Sequence, residues 1–324
     1  MSTKRRDRRG FTLIELSIVL VIIGLIVGGV LVGRDLINAA AVRAQISQIE
    51  KYQTAVNTFR GKYGYLPGDI PNPDATNLGF NNRGAYPGEG DGNGVIEGVS
   101  MNAYNSNLGI FELCGETATF WVDLSTAKLI DGTFTTAAPS TSPSTALTQT
   151  QIGLYLPPSK INATGYIYVW SGGWQENMTS VSPGDSQNYF ALAASAGTGN
   201  GFGNCQIAPI PVLTVAQAYS IDKKMDDGLP QSGNVTAYVP LRSWAAGGSL
   251  AGSPPFETNS GDESSSNGGP ITSAADIGNG MLEGPNSCYD ARSTTAGSGT
   301  LPEQYSIEVN NGSGVNCWLS FRFQ

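Results

Sequence analysis

The 324-residue chain has 18 basic and 26 acidic residues, a formal net charge of −8, 40% hydrophobic residues and only 14% charged residues. It contains no histidine, which removes the commonest general base, the Ser–His nucleophile pair and the commonest transition-metal ligand together. The acidic balance argues against a general basic nucleic-acid-binding surface, and 42 glycines favour turns and short strands over long helices in the C-terminal three quarters.

The first element is set by charge and apolarity. Lys4, Arg5, Arg6, Asp7, Arg8 and Arg9 lead through Gly10 into Phe11-Thr12-Leu13-Ile14-Glu15-Leu16 and an apolar run that ends at Val32. Residues 11–32 match the length of about 20 that crosses a hydrocarbon core, and the basic flank keeps the N-terminus cytoplasmic. A secretory signal peptide places a small-residue cleavage site after a shorter apolar stretch; Ala39, Ala40 and Ala41 do follow, but behind a run too long for one. A plain uncut anchor, tethering a binding protein or a hydrolase, fits the length. Neither account explains Glu15, because a charged side chain inside a membrane helix costs about 2.5–3.5 kcal/mol on insertion scales and calls for a partner.

Basic residues followed by Gly10-Phe11-Thr12-Leu13-Ile14-Glu15-Leu16 resemble the cleavage and methylation motif of the type IV pilin and pseudopilin family. The resemblance implies that a prepilin peptidase cuts after Gly10 and methylates the new amine of Phe11. It implies that Glu15 attracts the N-terminal amine of a neighbouring subunit, and that assembly needs an inner-membrane platform protein and a cytoplasmic ATPase. It further implies a structural subunit rather than an enzyme, with an α+β fold: a long N-terminal helix packed on a globular head with an antiparallel sheet. The expected organisation is a leader at residues 1–10, a membrane and stalk helix at 11–64, and a periplasmic head at 65–324.

The physics agrees with that scheme. A glycine before the cut lets the backbone enter a tight protease site. Two opposite charges about 4 Å apart attract by roughly 4 kcal/mol at an effective dielectric near 20, which offsets a good part of the burial cost of Glu15 and fixes an axial register. Residues 1–9 hold five basic residues and one acid, so their removal takes the net charge from −8 to −12. Two roles remain within the family: a pseudopilin of a type II secretion system, or a type IV pilin of a surface fibre for adhesion, motility or DNA uptake.

Beyond the apolar run, Val42, Ile46, Ile49, Tyr52, Val56, Phe59 and Tyr63 recur at spacings of three and four, with Arg43, Gln45, Lys51 and Arg60 between them. The helix therefore continues and stops near residues 61–64, before Pro67. Gly24, Gly28, Gly29 and Gly33 weaken its middle by about 1 kcal/mol each; no proline precedes Pro67, where many type IV pilins carry a helix-breaking one.

In the head, Leu66-Pro67-Gly68-Asp69-Ile70-Pro71 is a turn-rich lead-in that wraps the end of the stalk. Helices are predicted over residues 117–129, with Phe120, Trp121, Leu124 and Leu129 on one face, and over 215–225 behind an N-cap at Thr214, with Gly228 near its end. Strands are predicted at 166–170, 189–194, 235–239, 305–309 and 317–323, the last alternating Trp318, Ser320 and Arg322 against Leu319, Phe321 and Phe323 as a half-buried strand does. Residues 133–150, 247–272 and 293–300 read as Ser/Thr/Gly/Pro-rich loops. Four cysteines, Cys114, Cys205, Cys288 and Cys317, show no Cys-x-x-Cys spacing; beyond a membrane segment they allow up to two disulfides in three possible pairings. The head also resembles large pilin-like proteins that combine a Leu-Pro-Gly-Asp turn, an Asp/Asn/Gly-rich loop, a Phe-Trp helix, a Leu-Pro-x-Ser-Lys stretch and a late cysteine pair. That likeness implies a Cys288–Cys317 bridge, and with it Cys114–Cys205.

The strongest chemical motif in the head is Glu89-Gly90-Asp91-Gly92-Asn93-Gly94-Val95-Ile96-Glu97. Oxygen side chains at its first, third and fifth positions, a glycine at the sixth and an apolar residue at the eighth resemble the start of a calcium loop. The candidate ligands are Glu89, Asp91, Asn93, Glu97 and the Val95 carbonyl. Glu89 stands where that motif has Asp, and Ser100 where it has a bidentate Glu. Asp222, Asp226 and Asp227 read as a helix end followed by a turn. Ser159-Lys160 is a poor nucleophile pair because adjacent residues on a strand face opposite ways. Asn162, Asn177 and Asn234 stand in short sequons of little weight.

Overall fold

The computed structural model describes residues 13–84, 88–98, 113–137, 147–171, 187–198, 207–230, 232–237, 288–290, 304–307 and 309–324. Helix α1 spans Leu13–Tyr63, about 76 Å at 1.5 Å per residue, and passes through all four of its early glycines without a break. It ends where Gly64 takes a positive φ and donates to the Arg60 carbonyl at 2.9 Å, a left-handed terminus of the kind that stops many helices.

The two halves of α1 face different surroundings. From Leu13 to Ile37 its apolar side chains are exposed, and all but three of the exposed large apolar side chains among the described residues lie there. By length and composition α1 can cross a membrane. From Val42 onward, Val42, Ile49, Tyr52, Ala55, Val56 and Phe59 are buried. The sequence pattern put Gln45 on the polar side, yet it is fully buried. Its Oε1 accepts from the Lys160 and Ile161 backbone N–H groups at 2.9 and 3.2 Å. Gln48 accepts from Lys160 N–H and donates to the Pro158 carbonyl. Two stalk amides thus hold a strap of the head by supplying partners for its backbone groups.

After the stalk come the short helices α2 (Asp74–Asn77), α3 (Gly115–Thr126) and α4 (Gln149–Ile152). Strands β1 (Gly165–Ser171), β2 (Asn188–Thr198), β3 (Ile207–Ile210) and β4 (Leu213–Thr214) follow, then α5 (Val215–Met225) and β5 (Val235–Thr236). The chain ends with β6 (Tyr289–Asp290), β7 (Gln304–Tyr305), β8 (Val315–Cys317) and β9 (Leu319–Arg322). The main sheet is antiparallel in the order β1-β2-β9-β5, with β3 pairing the far end of β2; β4–β8 and β6–β7 form two small ribbons. Register places Tyr166 opposite Ala193, and Tyr189 opposite Arg322. The α+β, pilin-like layout read from the sequence is the observed one.

The core lies between the sheet, α1 and α3. Tyr52 meets Trp121 edge-on at 5.0 Å, and Phe190 packs 6.0 Å from both Phe120 and Trp121. Each such aromatic pair adds about 0.5–1.5 kcal/mol beyond area burial. The lead-in does wrap the stalk end: Phe80 packs on Phe59 and Tyr63 at 5.3 and 4.9 Å. Helix α5 starts at the expected N-cap, where Thr214 and Gln217 form a reciprocal capping box.

Three expectations change. The last strand is buried on both faces through Phe321, since Ser320 lies under Trp170, whose Nε1 donates to its Oγ at 3.1 Å; only Arg322 and Phe323 keep the alternation. The strand at 305–309 stops at Tyr305, and residues Val309–Gly312 turn as a 3-10 helix with Gly312 at positive φ against Ala216. Within the predicted loop 133–150, Phe134 and Ala137 are buried and α4 begins at Gln149. Residues 247–272 and 293–300 lie outside the described residues. A disulfide joins Cys288 to Cys317; Cys114 is also disulfide-bonded, with Cys205 outside the described residues.

Candidate functional site

Two regions carry chemistry. The first is the start of α1. Gly10 and Phe11 lie outside the described residues, and Glu15 sits in the first turn of the helix. A carboxylate there faces the positive end of the helix dipole, which is stabilising by about 0.3–1 kcal/mol in exposed settings. It also places an acid in the apolar sheath formed by Leu13, Ile14, Leu16 and Ile18.

The second region lies at the top of the stalk, where three chain segments converge. The Gly88–Gly98 loop is laid between the lead-in and the N-terminus of α3. Its amides point inward: Gly90 N–H donates to Glu116 Oε1 at 2.9 Å, Gly92 N–H to Asp69 Oδ1 at 2.7 Å, and Gly94 N–H to Asp69 Oδ2 at 2.8 Å. Glu97 N–H donates to Glu116 Oε2 at 2.9 Å. In return, the Glu97 carbonyl accepts from Glu116 and Thr117 N–H groups, and the Gly88 carbonyl from Glu116 N–H. These carbonyls satisfy first-turn donors of α3, whose N-cap Cys114 has no side-chain cap. Glycine is required at position 90: its φ is +103°, and a Cβ would come within 2.8 Å of the Ile70 carbonyl oxygen and of the Arg83 stem.

The loop residues named from sequence take different places. Asp91 is exposed and accepts from Asn93 N–H at 3.0 Å and Asn93 Nδ2 at 3.1 Å. Asn93 Oδ1 accepts from Val95 N–H at 2.7 Å. Glu89 is buried, and its carboxyl lies directly over Gly84. Glu97 is buried beside Asp91, Asn93 and Asp69, and its Oε2 accepts no hydrogen bond among the described residues. Asp69 and Glu116, which the loop motif did not include, come into the same cluster: one oxygen each from Asp69, Asp91 and Glu116 lie within 4.8 Å of one another. Asp69 stands in the Leu-Pro-Gly-Asp turn and Glu116 carries no reading from sequence, because 47 residues separate the two and only the fold closes that gap.

Electrostatically the cluster is under load. Burial pushes Asp69 up to about 7, opposed by the Gly94 and Gly92 N–H groups and aided by the Asp91 charge. Burial likewise pushes Glu97 up to about 8, with Asp91 adding to the rise. Glu116 is raised well above the usual carboxylate range by burial, then by Asp69 and Glu97. The nearest buried cation, Arg83, pairs with Asp123 at 2.5 Å, the one salt bridge between described residues. Asp123 also accepts from Gly68 N–H at 2.7 Å.

The other acidic group is internally satisfied. Asp222 is buried and accepts from Tyr305 Oη at 2.8 Å and Gly228 N–H at 3.1 Å. Asp226 accepts from the Asn234 and Val235 N–H groups, and Asp227 from Leu229 N–H and Ser232 Oγ. This is the helix end and turn expected. Ser159 Oγ donates to the Asn162 carbonyl at 2.5 Å while Lys160 is exposed, so the two do not form a nucleophile pair. Asn162 Nδ2 donates to the Val212 carbonyl, and Asn177 is outside the described residues.

Against known proteins, residues 5–31 match the family described as the prokaryotic N-terminal methylation motif. No curated protein and no solved structure matches the chain.

Proposed function

We propose, from the premise that this methylation motif marks the chain as a prepilin of the type IV pilin and pseudopilin type, that the protein is a filament subunit cut after Gly10 and N-methylated at Phe11. Within that class we read it as a pseudopilin of a type II secretion system, on the likeness of its Leu66–Asp69 turn, Phe120-Trp121 helix and Cys288–Cys317 bridge to large pilin-like proteins. Its partners in this reading are other pilin or pseudopilin subunits, a prepilin peptidase, a platform protein and an assembly ATPase. Before assembly α1 anchors it in the inner membrane, with the N-terminus cytoplasmic and the head periplasmic.

The observation that carries the reading is the place of Glu15 on α1. More than a dozen large apolar side chains between Leu13 and Ile37 are exposed, and covering each contributes about 1.5–3 kcal/mol. That sum far exceeds the roughly 4 kcal/mol of a single charge pair. Apolar contact therefore supplies affinity, first to lipid and then to neighbouring helices. It is non-directional, so register falls to the Glu15 carboxylate and the Phe11 amine of the next subunit.

Glu15→Ala tests the assignment. The variant is expected to reach the membrane and be processed, yet to be absent from sheared or pulled-down filaments. Normal incorporation would sink the register role, whereas a wild-type chain that is never cut and never found in filaments would favour an uncut tether. Fibres outside the cell in a strain lacking any secretion defect would move the protein from pseudopilin to type IV pilin.

A further inference from the structure

We propose that Asp69, Asp91, Glu97 and Glu116 form a binding site for one divalent cation of the calcium class, which ties the lead-in after the stalk, the glycine loop and the N-terminus of α3 into one unit. The site is independent of the filament reading: either can fail without the other.

Three observations carry it. Oxygens of Asp69, Asp91 and Glu116 lie within 4.8 Å of one another, and calcium–oxygen distances of about 2.3–2.6 Å fit a cluster of that size. Glu97 is only 3% exposed, its carboxyl feels the Asp91 and Asp69 charges and is partly offset by the Asn93 side chain, and its Oε2 has no hydrogen-bond donor among the described residues. A buried carboxylate oxygen without a donor is costly unless something positive meets it. Finally, the one described guanidinium nearby, that of Arg83, pairs with Asp123 instead.

The amides that already hold the cluster leave room. Asp69 and Glu116 each accept two backbone N–H bonds, and a carboxylate offers about four lone-pair sites. Oxygen-only donors select a hard cation. Three converging carboxylates, with the buried Glu97 close enough to feel their charge, favour calcium over magnesium, which keeps its waters and takes about one or two carboxylates. Burial, and after it the Asp91 charge, raises the proton affinities of Asp69 and Glu97. The ligand set differs from the sequence motif: Glu89 turns toward Gly84, and Asp69 and Glu116 take its place.

The test uses the full chain in detergent, stripped with a chelator and followed by tryptophan fluorescence during heating, since Trp121, Trp170 and Trp318 are buried. Calcium at about one hundred times its Kd should raise Tm by about 5–10 °C, with magnesium giving less. Glu97→Gln and Asp91→Asn should each lose most of that rise, and Asp226→Asn, in the satisfied acidic turn, should keep it. Direct calcium titration by calorimetry covers the case in which a variant folds poorly: wild-type protein should take up one ion. No calcium-dependent rise and no uptake at millimolar calcium, or an undiminished rise in Glu97→Gln, would overturn the site.

Discussion

Asp123→Ala gives the sharpest view of how the lead-in after the stalk is braced on α3. Arg83 and Asp123 are 0% and 1% exposed and meet at 2.5 Å, and Asp123 also receives the Gly68 N–H. Arg83 Nη1 and Asp123 Oδ1 each lack a partner among the described residues, so the pair is incompletely satisfied. Burial raises the Asp123 pKa even though the Arg83 charge pulls it down. The pair therefore does little for net stability but much for geometry: Arg83 Nε donates to the Ile70 carbonyl beneath Gly90. Removing Asp123 alone strands a buried guanidinium, which costs about 3–5 kcal/mol, and leaves Gly68 N–H without its acceptor. In urea, followed by tryptophan emission, the midpoint should fall by about 1 M or more at an m value near 3 kcal/mol/M. Replacing both partners, Arg83→Met with Asp123→Leu, should recover part of the loss, because no guanidinium is stranded, while Gly68 N–H and the Ile70 carbonyl still lack their side-chain partners. A loss below about 1 kcal/mol for Asp123→Ala, or a double variant no more stable than the single, would refute this account of the brace.

Gly68→Ala should destabilise the head by more than the ~1–2 kcal/mol cost of a left-handed non-glycine, since φ is +88° and the new Cβ would lie 2.6 Å from the Glu116 carbonyl oxygen; equilibrium unfolding checks it. Asp222, raised by burial to about 7 from 3.8, binds its proton more tightly folded than unfolded. Its contribution should therefore be fullest below about pH 4 and be lost as pH rises toward 7. Asp222→Asn should flatten that part of the pH–stability profile, while an unchanged slope would show that another group sets it. Cys288→Ser with Cys317→Ser should cost about 3.5 kcal/mol by chain entropy for a separation of 29 residues, read as a lower urea midpoint without reductant and a smaller further fall when reductant opens the remaining bridge of Cys114.

Much of the architecture was legible because local signals agreed. The three-and-four spacing of Val42, Ile49, Tyr52, Val56 and Phe59 fixed the buried face of α1, and Gly64 with Pro67 fixed its end. Thr214 marked the first residue boundary of α5 through a cap whose geometry is local. What sequence could not supply were partners far apart along the chain. Gln45 looked like a solvent-facing residue because the backbone groups it satisfies belong to Lys160 and Ile161. Ser320 looked exposed because the indole that covers it comes from Trp170. Strand β3 was missed because Pro209 within it argues against a ladder position, and such prolines are tolerated mainly at sheet edges. The carboxylate cluster was half visible: the loop residues Asp91 and Glu97 form a motif, whereas Asp69 and Glu116 join them only through tertiary closure.

The central claim is that proteolysis creates the partner of Glu15. Mass spectrometry of the N-terminal peptide of membrane or filament protein measures this directly. The account predicts a chain beginning at N-methylated Phe11. A chain beginning at Met1, or one cut near Ala41, would contradict it.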